Sequence, residues 1–277
     1  MKMLYRVLRA AWLACLPALT VPGPILAETV TVGGTGSSTP LIRQLGEAYL
    51  KIEPEIKVEV IDPPMGSSGS IRAMMAGAID LAVPGKPLTD AQREQGGWHQ
   101  ELGRTPFLFV TSKQPPLSLT LEQIAAIYSG GTTRWADGSP IRLVMRSRQE
   151  SDSRILSSLA PVMESAVEIA LERPGLLIAP NDLINLELLN KTPGSLGTTN
   201  LGLLQSQEYN LQIITVDGIV ATLDALYRGV YSHYKELYIA HGPKVSPAAR
   251  GFLEFILSAS GQEVMNREGY LLSSPRP

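Results

Sequence analysis

The chain has 277 residues, with 24 Lys and Arg against 26 Asp and Glu, a formal net charge of −2 and 44% hydrophobic residues. That length and apolar content suffice for one large domain or two smaller ones, and the charge argues against nucleic acid or an anionic membrane as the main partner. Cys15 is the single cysteine, which excludes an internal disulfide framework.

Lys2, Arg6 and Arg9 precede an apolar stretch from Ala10 to about Val21, Pro22-Gly-Pro24 breaks it, and Ile25-Leu-Ala27 offers the small residue of a signal-peptidase site. The pattern predicts a cleavable export signal over residues 1–27, a periplasmic destination and Glu28 as the mature N-terminus. An uncleaved anchor is the alternative. Trp12-Leu-Ala-Cys15 is a weak lipoprotein-type match, with bulky Trp12 where Leu is usual, so lipidation at Cys15 stays open. Removing the segment takes away three cations and no carboxylate, which leaves 21 basic against 26 acidic residues and a net charge of −5. An anion bound by such a chain must be held by local dipoles.

From Glu28 onward, strand-like and helix-like stretches alternate, as an α/β protein requires. Glu28 to Val32 reads as a strand, Pro40 to Leu50 as a helix with Leu41, Leu45, Ala48 and Tyr49 on one face, and Ile56 to Ile61 as a half-buried strand of period two. Ser70 to Ala78 is the next helix, followed by the apolar run Ile79 to Val83. Two Gly/Ser clusters, Gly34-Thr-Gly-Ser-Ser-Thr39 and Gly66-Ser-Ser-Gly69, each open a helix. A helix start leaves N–H groups unpaired and carries positive partial charge, so two starts facing one cleft would bind an oxyanion. Phe107 to Val110 reads as a strand, Ser112-Lys-Gln-Pro-Pro116 as an extended piece, Leu121 to Tyr128 as a helix ended by Ser129-Gly-Gly131, and Ile141 to Met145 as a strand. Ser153 to Arg173 gives one or two helices interrupted at Pro161. The Thr192-Pro-Gly-Ser-Leu-Gly197 turn leads into a further strand. A helix from Asp224 to Arg228, a strand near Leu237 to Ala240 and a helix from Pro247 to Leu257 complete the chain.

Signals for catalysis are weak. There is no Gly-x-Ser-x-Gly and no Walker A sequence, and Gly34-Thr-Gly36 lacks the third glycine of a dinucleotide fingerprint. His99, His233 and His241 show no metal-ligand spacing. Asp62, Asp80 and Asp182 could be read as a carboxylate cluster, although Asp80 has a ready structural role at a helix–strand turn. The reading from the residues is therefore a non-enzyme with no cofactor, and an oxyanion-cleft phosphoesterase is the alternative.

The ordered set Gly34-Thr-Gly-Ser-Ser-Thr-Pro40, Gly66-Ser-Ser-Gly69, Asp80-Leu-Ala with Pro87-Leu88, Ile127-Tyr-Ser-Gly-Gly with Trp135 and Pro140-Ile141, Pro193-Gly-Ser-Leu-Gly197, Gly229-Val-Tyr231, and Ser258 with Gly261-Gln262 and Gly269-Tyr270 resembles the phosphate-binding subunits of bacterial ABC importers. The resemblance covers nearly all of the chain after Ala27. It implies a monomeric, two-lobed, hinged periplasmic-binding-protein fold of type 2, closing on one inorganic oxyanion. Its boundaries would be residues 28–111 for the first part of lobe one, 112–224 for lobe two and 225–277 for the rest of lobe one. The implied partners are a phosphate-like oxyanion and an ABC permease, with a membrane sensor as the alternative recipient. Sulfate, arsenate and molybdate are the alternative ligands.

Carried over residue by residue, the resemblance implies ligand contacts from Ser38 and Thr39 in the first cluster and from Ser67, with Ser68 beside it, in the second. Each of these hydroxyls can instead merely cap its helix. In the second lobe it implies an Arg ahead of a Ser-Gly-Thr helix start. Here the sequence is Arg146-Ser-Arg-Gln-Glu-Ser-Asp-Ser153, so Arg146 is the first candidate, Arg148 the reserve, and Ser151, Asp152 and Ser153 stand at the helix start. The position of the family's Asp that accepts the proton of hydrogen phosphate holds Gly85. Neighbouring Lys86 can point into the cleft or into solvent, and Asp152 can supply a carboxylate from the other lobe.

Overall fold

The structure is a computed structural model and describes residues 28–272; the expected export segment and Cys15 lie outside the described residues. The chain begins with β1 (Glu28–Gly34), α1 (Thr39–Leu50), β2 (Ile56–Val60), α2 (Gly66–Met75), β3 (Leu81–Val83) and α3 (Asp90–Glu94). β1 lies between β2 and β3 and runs parallel to both, with Val30 opposite Val58 and Gly34 opposite Val83. Val30 and Val32 alternate inward and meet Leu41, Leu45 and Tyr49 of α1 in a core from which water is excluded.

Next come β4 (Trp98–Thr111), β5 (Ser118–Leu119), α4 (Leu121–Tyr128), β6 (Arg142–Arg146), α5 (Ser151–Ser158), α6 (Pro161–Leu171), β7 (Leu177–Ala179), α7 (Asp182–Lys191), β8 (Ser195–Asn200) and α8 (Leu201–Gln205). The remainder is β9 (Gln212–Ile213), β10 (Thr215–Val216), α9 (Leu223–Tyr227), β11 (Tyr234–His241), α10 (Pro247–Leu257), α11 (Ala259–Arg267) and β12 (Leu271–Leu272). The main sheet runs β2-β1-β3-β11-β4-β8-β6-β7.

β4 joins the two halves of that sheet. Its first part pairs antiparallel with β11, Trp98 opposite His241 through Pro106 opposite Tyr234, and its last five residues pair with β8, Phe107 opposite Asn200 through Thr111 opposite Leu196. The change of partner falls beside Pro106, which has no N–H to give. Beyond it the side chains alternate. Phe107 and Phe109 enter a core with Ile124, Tyr128, Met145 and Met163, whereas Leu108 and Val110 enter another with Val144, Leu186, Leu189 and Tyr231. Two lobes result, each with its own cores, joined through β4 and β11. Ala225 and Tyr231 still pack within the second lobe, so the observed packing extends past Asp224 to the start of β11.

Several observed elements, among them α3, β7, α7, α8 and α11, were not expected, and three of the differences have a clear physical reason. The first nine residues of β4, Trp98 to Pro106, are largely polar and show no period-two alternation of burial, so no strand signal announces them. α7 has apolar residues spread around its circumference, and its buried face includes Asp182 and Asn185, so no clean stripe announces it. α11 follows α10 without a gap, because Ser258 ends one helix and caps the other by accepting from Gly261 N–H.

Phe252 of α10 is fully buried and packs on Tyr49 and Phe255 at ring separations of 5.3 and 6.4 Å. Phe252→Ala is expected to destabilise the first lobe by about 3–5 kcal/mol. Denaturant unfolding checks this, and a loss under about 1 kcal/mol would show that the site collapses around the deletion.

Candidate functional site

Four helix starts meet at the carboxyl ends of the strands. α1 follows β1, α2 follows β2, α5 follows β6 and α7 follows β7. Open α/β sheets bind ligands at such loops. The first two starts belong to lobe one and the others to lobe two. The lobes come close at Gly36, where a Cβ would lie 3.1 Å from both the N–H nitrogen and Oδ2 of Asp182. A side chain there would force Asp182 to give way by a few tenths of an ångström. Tyr270 fixes the same loop, its hydroxyl donating to Ser37 O at 3.0 Å.

The first Gly/Ser cluster is buried and internally bonded. Ser38 Oγ donates toward Thr35 O at 3.0 Å and Val83 O at 3.2 Å, and Thr39 Oγ1 donates to Thr35 O at 3.1 Å. These hydroxyls tie the loop to itself and to β3, and neither serves as a side-chain cap. The second cluster forms the first turn of α2, four residues earlier than the sequence suggests. Ser67 Oγ accepts from Gly85 N–H at 2.9 Å, which leaves its own proton to donate. Ser68 is turned outward and accepts from Lys86 Nζ at 2.9 Å on the exposed surface. A Cβ on Gly85 would sit 3.6 Å from Ser67 Oγ, 3.7 Å from Glu236 O and 3.8 Å from Ser151 Oγ, so the starts of α2 and α5 face each other across Gly85.

Arg146 ends β6 and is 5% exposed. Its Nη1 donates to Ala179 O at 2.7 Å and its Nη2 pairs with Glu150 at 2.9 Å, while Nε is buried with no protein partner. Arg148 instead lies on the outer surface, paired with Glu168 and Glu172 of the α6 region. Of the two arginines, the structure brings Arg146 to the cleft. Ser153 Oγ donates to Arg146 O at 2.9 Å and so anchors α5 to the strand. Ser151 is half-buried, its Oγ 3.4 Å from Asp152 Oδ1.

The centre of the cleft holds a residue that sequence reasoning missed. Lys235, at the second position of β11, is 1% exposed and reaches into lobe two, where its ammonium donates to Asp152 Oδ1 and, at 2.8 Å, to Asp182 Oδ1. Both carboxylates stand in the first turn of their helices, where the helix dipole favours negative charge. Burial pulls the Lys235 ammonium down, but the two carboxylates outweigh it and hold its pKa above that of an ordinary lysine. Burial also works against an ionised Asp182, yet Lys235 and Arg146 hold its pKa below the ordinary value. Asp152 goes the other way: burial, aided by repulsion from Asp182, raises it despite Lys235 and Arg146. The signal was present in the period of β11, where Lys235 shares the phase of buried Leu237 and Ile239.

The three aspartates once grouped together are far apart in role. Asp62 pairs with Arg43 in an exposed contact, Asp80 accepts from Thr31 N–H at 2.8 Å and from Thr31 Oγ1 at 2.6 Å, and Asp182 alone is at the cleft. His241 stacks on Trp98, His99 packs by Tyr238 and His233 meets the edge of the Tyr231 ring. A cavity of about 960 Å³ elsewhere is lined by His99, Glu101, Arg104, Tyr231, Tyr234 and Tyr238. It uses other residues of β4 and β11 than the cleft does.

A hinged two-lobed α/β molecule with helix starts and a buried guanidinium between its lobes belongs to the class of solute-binding proteins. A family model described as the PBP superfamily domain matches residues 22–260, and the chain belongs to that superfamily. Among its relatives, the "Phosphate-binding protein PstS" of Borreliella burgdorferi is 24% identical over 253 residues, covering 88% of this chain and 90% of that one. The protein of the same name from Pseudomonas aeruginosa is 21% identical, covering 95% and 91%. Among solved structures, a candidate phosphate ABC transporter substrate-binding protein from Clostridium perfringens with bound phosphate superposes at a TM-score of 0.74 with 20% identity, covering 89% of this chain and all of that one. An ABC-type phosphate transport receptor from Vibrio cholerae superposes at 0.62 with 21% identity, covering 88% and 100%.

The opposed shifts of the two aspartates set their worth. Asp182, with a lowered folded pKa, contributes stability that is full above about pH 3.9 and is lost as pH falls through its folded pKa; Asp152, with a raised one, yields stability as pH falls through its folded value. Asp182→Asn is therefore expected to cost about 3–5 kcal/mol at neutral pH and to flatten the acid-side loss, whereas Asp152→Asn costs clearly less. Urea unfolding of both variants at neutral and acid pH checks the order; equal costs would contradict it.

Proposed function

We propose that the chain is an exported solute-binding protein that captures an inorganic oxyanion of the phosphate type between its lobes and hands it to an ABC importer. The observation that carries this reading is Arg146 Nε, a buried charged donor without a protein partner, beside the start of α5. An unpaired guanidinium N–H buried in a protein is costly unless an acceptor meets it, and an anion oxygen is the acceptor that suits it. The helix starts of α2 and α5 and the hydroxyls of Ser67 and Ser151 surround the same space. The printed names of the relatives and of the superposed structures support phosphate as the ligand and an ABC transporter as the recipient. The charged and apolar pattern ahead of Glu28 supports export with removal of residues 1–27.

In this reading Arg146, Ser151 and Ser67 touch the ligand. Ser38, Thr39, Asp152 and Ser153 shape the loops around it, and Ser68 lies at its outer edge. The lobes hinge where β4 passes Pro106 and where the chain re-enters lobe one between Tyr231 and Lys235, later than residue 224. Closure is driven by contacts that exist only when both lobes touch the anion. No group in this reading performs bond chemistry, and turnover of a phosphate ester is not expected.

Phosphate is expected to raise the melting temperature, because a ligand that binds only the folded state stabilises it by mass action. Combining Arg146→Gln with Ser67→Ala is expected to abolish that rise and to weaken calorimetric affinity by at least about a hundredfold, since charge-assisted hydrogen bonds contribute about 1.5–3 kcal/mol each. Stabilisation unchanged in the double variant would remove these residues from the site.

A further inference from the structure

Tyr270 is 1% exposed and packs in the core of the first lobe, yet its ring also lies against Gly202, the second residue of α8, where a Cβ would collide with ring atoms Cε2 and Cζ. The residues on either side of Gly202, Leu201 and Leu203, belong to a core of the second lobe. Gly202 N–H donates to Thr105 Oγ1 of β4 at 3.2 Å, so the seat of the ring is fixed where the lobes join. From that seat the Tyr270 hydroxyl reaches the β1–α1 loop and donates to Ser37 O at 3.0 Å. Burial, with the charges of Asp182 and Glu268, holds its pKa above that of an ordinary tyrosine, and the hydroxyl keeps the proton it donates.

The bond decides which donors α1 leaves unpaired. One more helical turn would have Leu41 N–H donate to Ser37 O, four residues back. Here that carbonyl accepts from Tyr270 instead, and helical bonding starts only with Ile42 N–H to Ser38 O at 3.0 Å. The N–H groups of Thr39 and Leu41 find no acceptor among the described residues, and Pro40 between them has none to offer. Unpaired N–H groups at the positive end of a helix suit an anion. From this juxtaposition we infer that Tyr270 is a positioning residue for anion capture: seated against α8 of the second lobe, it engages the Ser37 carbonyl and so keeps the start of α1 open to the ligand. The inference rests on oxyanion capture at this cleft. Without the hydroxyl, Ser37 O is a buried acceptor short of a donor, and Leu41 N–H is the helical donor that can satisfy it. The anion then loses that donor. Tyr270 acts through Ser37 and makes no contact with the ligand.

Tyr270→Phe keeps the ring in its seat and removes only the hydroxyl. In calorimetric titration with inorganic phosphate at neutral pH this variant is expected to bind at least about fivefold more weakly than the wild-type protein. Leu253→Ala, in α10 of the same core, is expected to lower the melting temperature further while leaving the affinity within about twofold. Amide exchange of Leu41, followed by NMR without phosphate, separates positioning from loosening. It is expected to be slower in Tyr270→Phe than in the wild-type protein, because the amide is then bonded to Ser37 O, whereas a loosened lobe would exchange faster. Wild-type affinity in Tyr270→Phe, an equal loss of affinity in Leu253→Ala, or a Leu41 amide that exchanges no slower in Tyr270→Phe would each overturn the inference and leave oxyanion capture standing. A wild-type protein that does not bind phosphate would overturn capture, and the inference with it.

Discussion

The bond between Lys235 and the paired carboxylates Asp152 and Asp182 organises the cleft. An ammonium withdrawn from water is stable only if its attraction to partners exceeds the loss of hydration, and one carboxylate alone would leave part of that loss uncovered. Two carboxylates around one ammonium would overshoot, were it not for Arg146 nearby, whose charge acts on both. Arg146 is in turn paired with Glu150, at 2.9 Å, at the start of α5. Since Lys235 belongs to β11 while its partners open α5 and α7, the cluster ties the starts of two second-lobe helices to one of the joining strands.

That constraint explains why the helix starts are arranged as they are. Asp152 and Asp182 occupy first-turn positions where the positive end of a helix lowers the cost of burying a negative charge. Each therefore serves its helix and Lys235 at once. The first lobe follows another rule. There the loop hydroxyls of Ser38 and Thr39 are consumed within the β1–α1 turn, and Gly36 clears the path for Asp182. The lobe contributes shape at this loop and donors at α2, where Ser67 retains a proton.

Most of the α/β alternation was legible in the sequence because its elements have one wet and one dry side. Leu41, Leu45 and Tyr49 mark α1 in this way, and the spacing of Leu121, Ile124, Ala125 and Tyr128 marks α4. Legibility failed where a buried face is polar. α7 hides Asp182 and Asn185, and Asn185 Nδ2 donates to Thr198 O at 2.8 Å, so its burial depends on a partner distant in the sequence. Of the cleft, the helix starts and Arg146 could be read from residue order. Lys235 could not be assigned that way, since its partners lie 83 and 53 residues away and only the pleat of β11 reveals that it points inward.

β11 carries the two environments on its two sides. Lys235 faces the ion cluster, while Tyr234 and Tyr238 line a separate cavity, where Arg104 lies 4.6 Å from the centre of the Tyr234 ring. A strand twisted by movement of one lobe must move both sets of side chains, because successive residues share one backbone. The ladder to β4 shifts register between Leu237 and Tyr238, which bends the strand just beyond the lysine. The ion cluster and the separate cavity thus share the backbone of β11 and its ladder to β4.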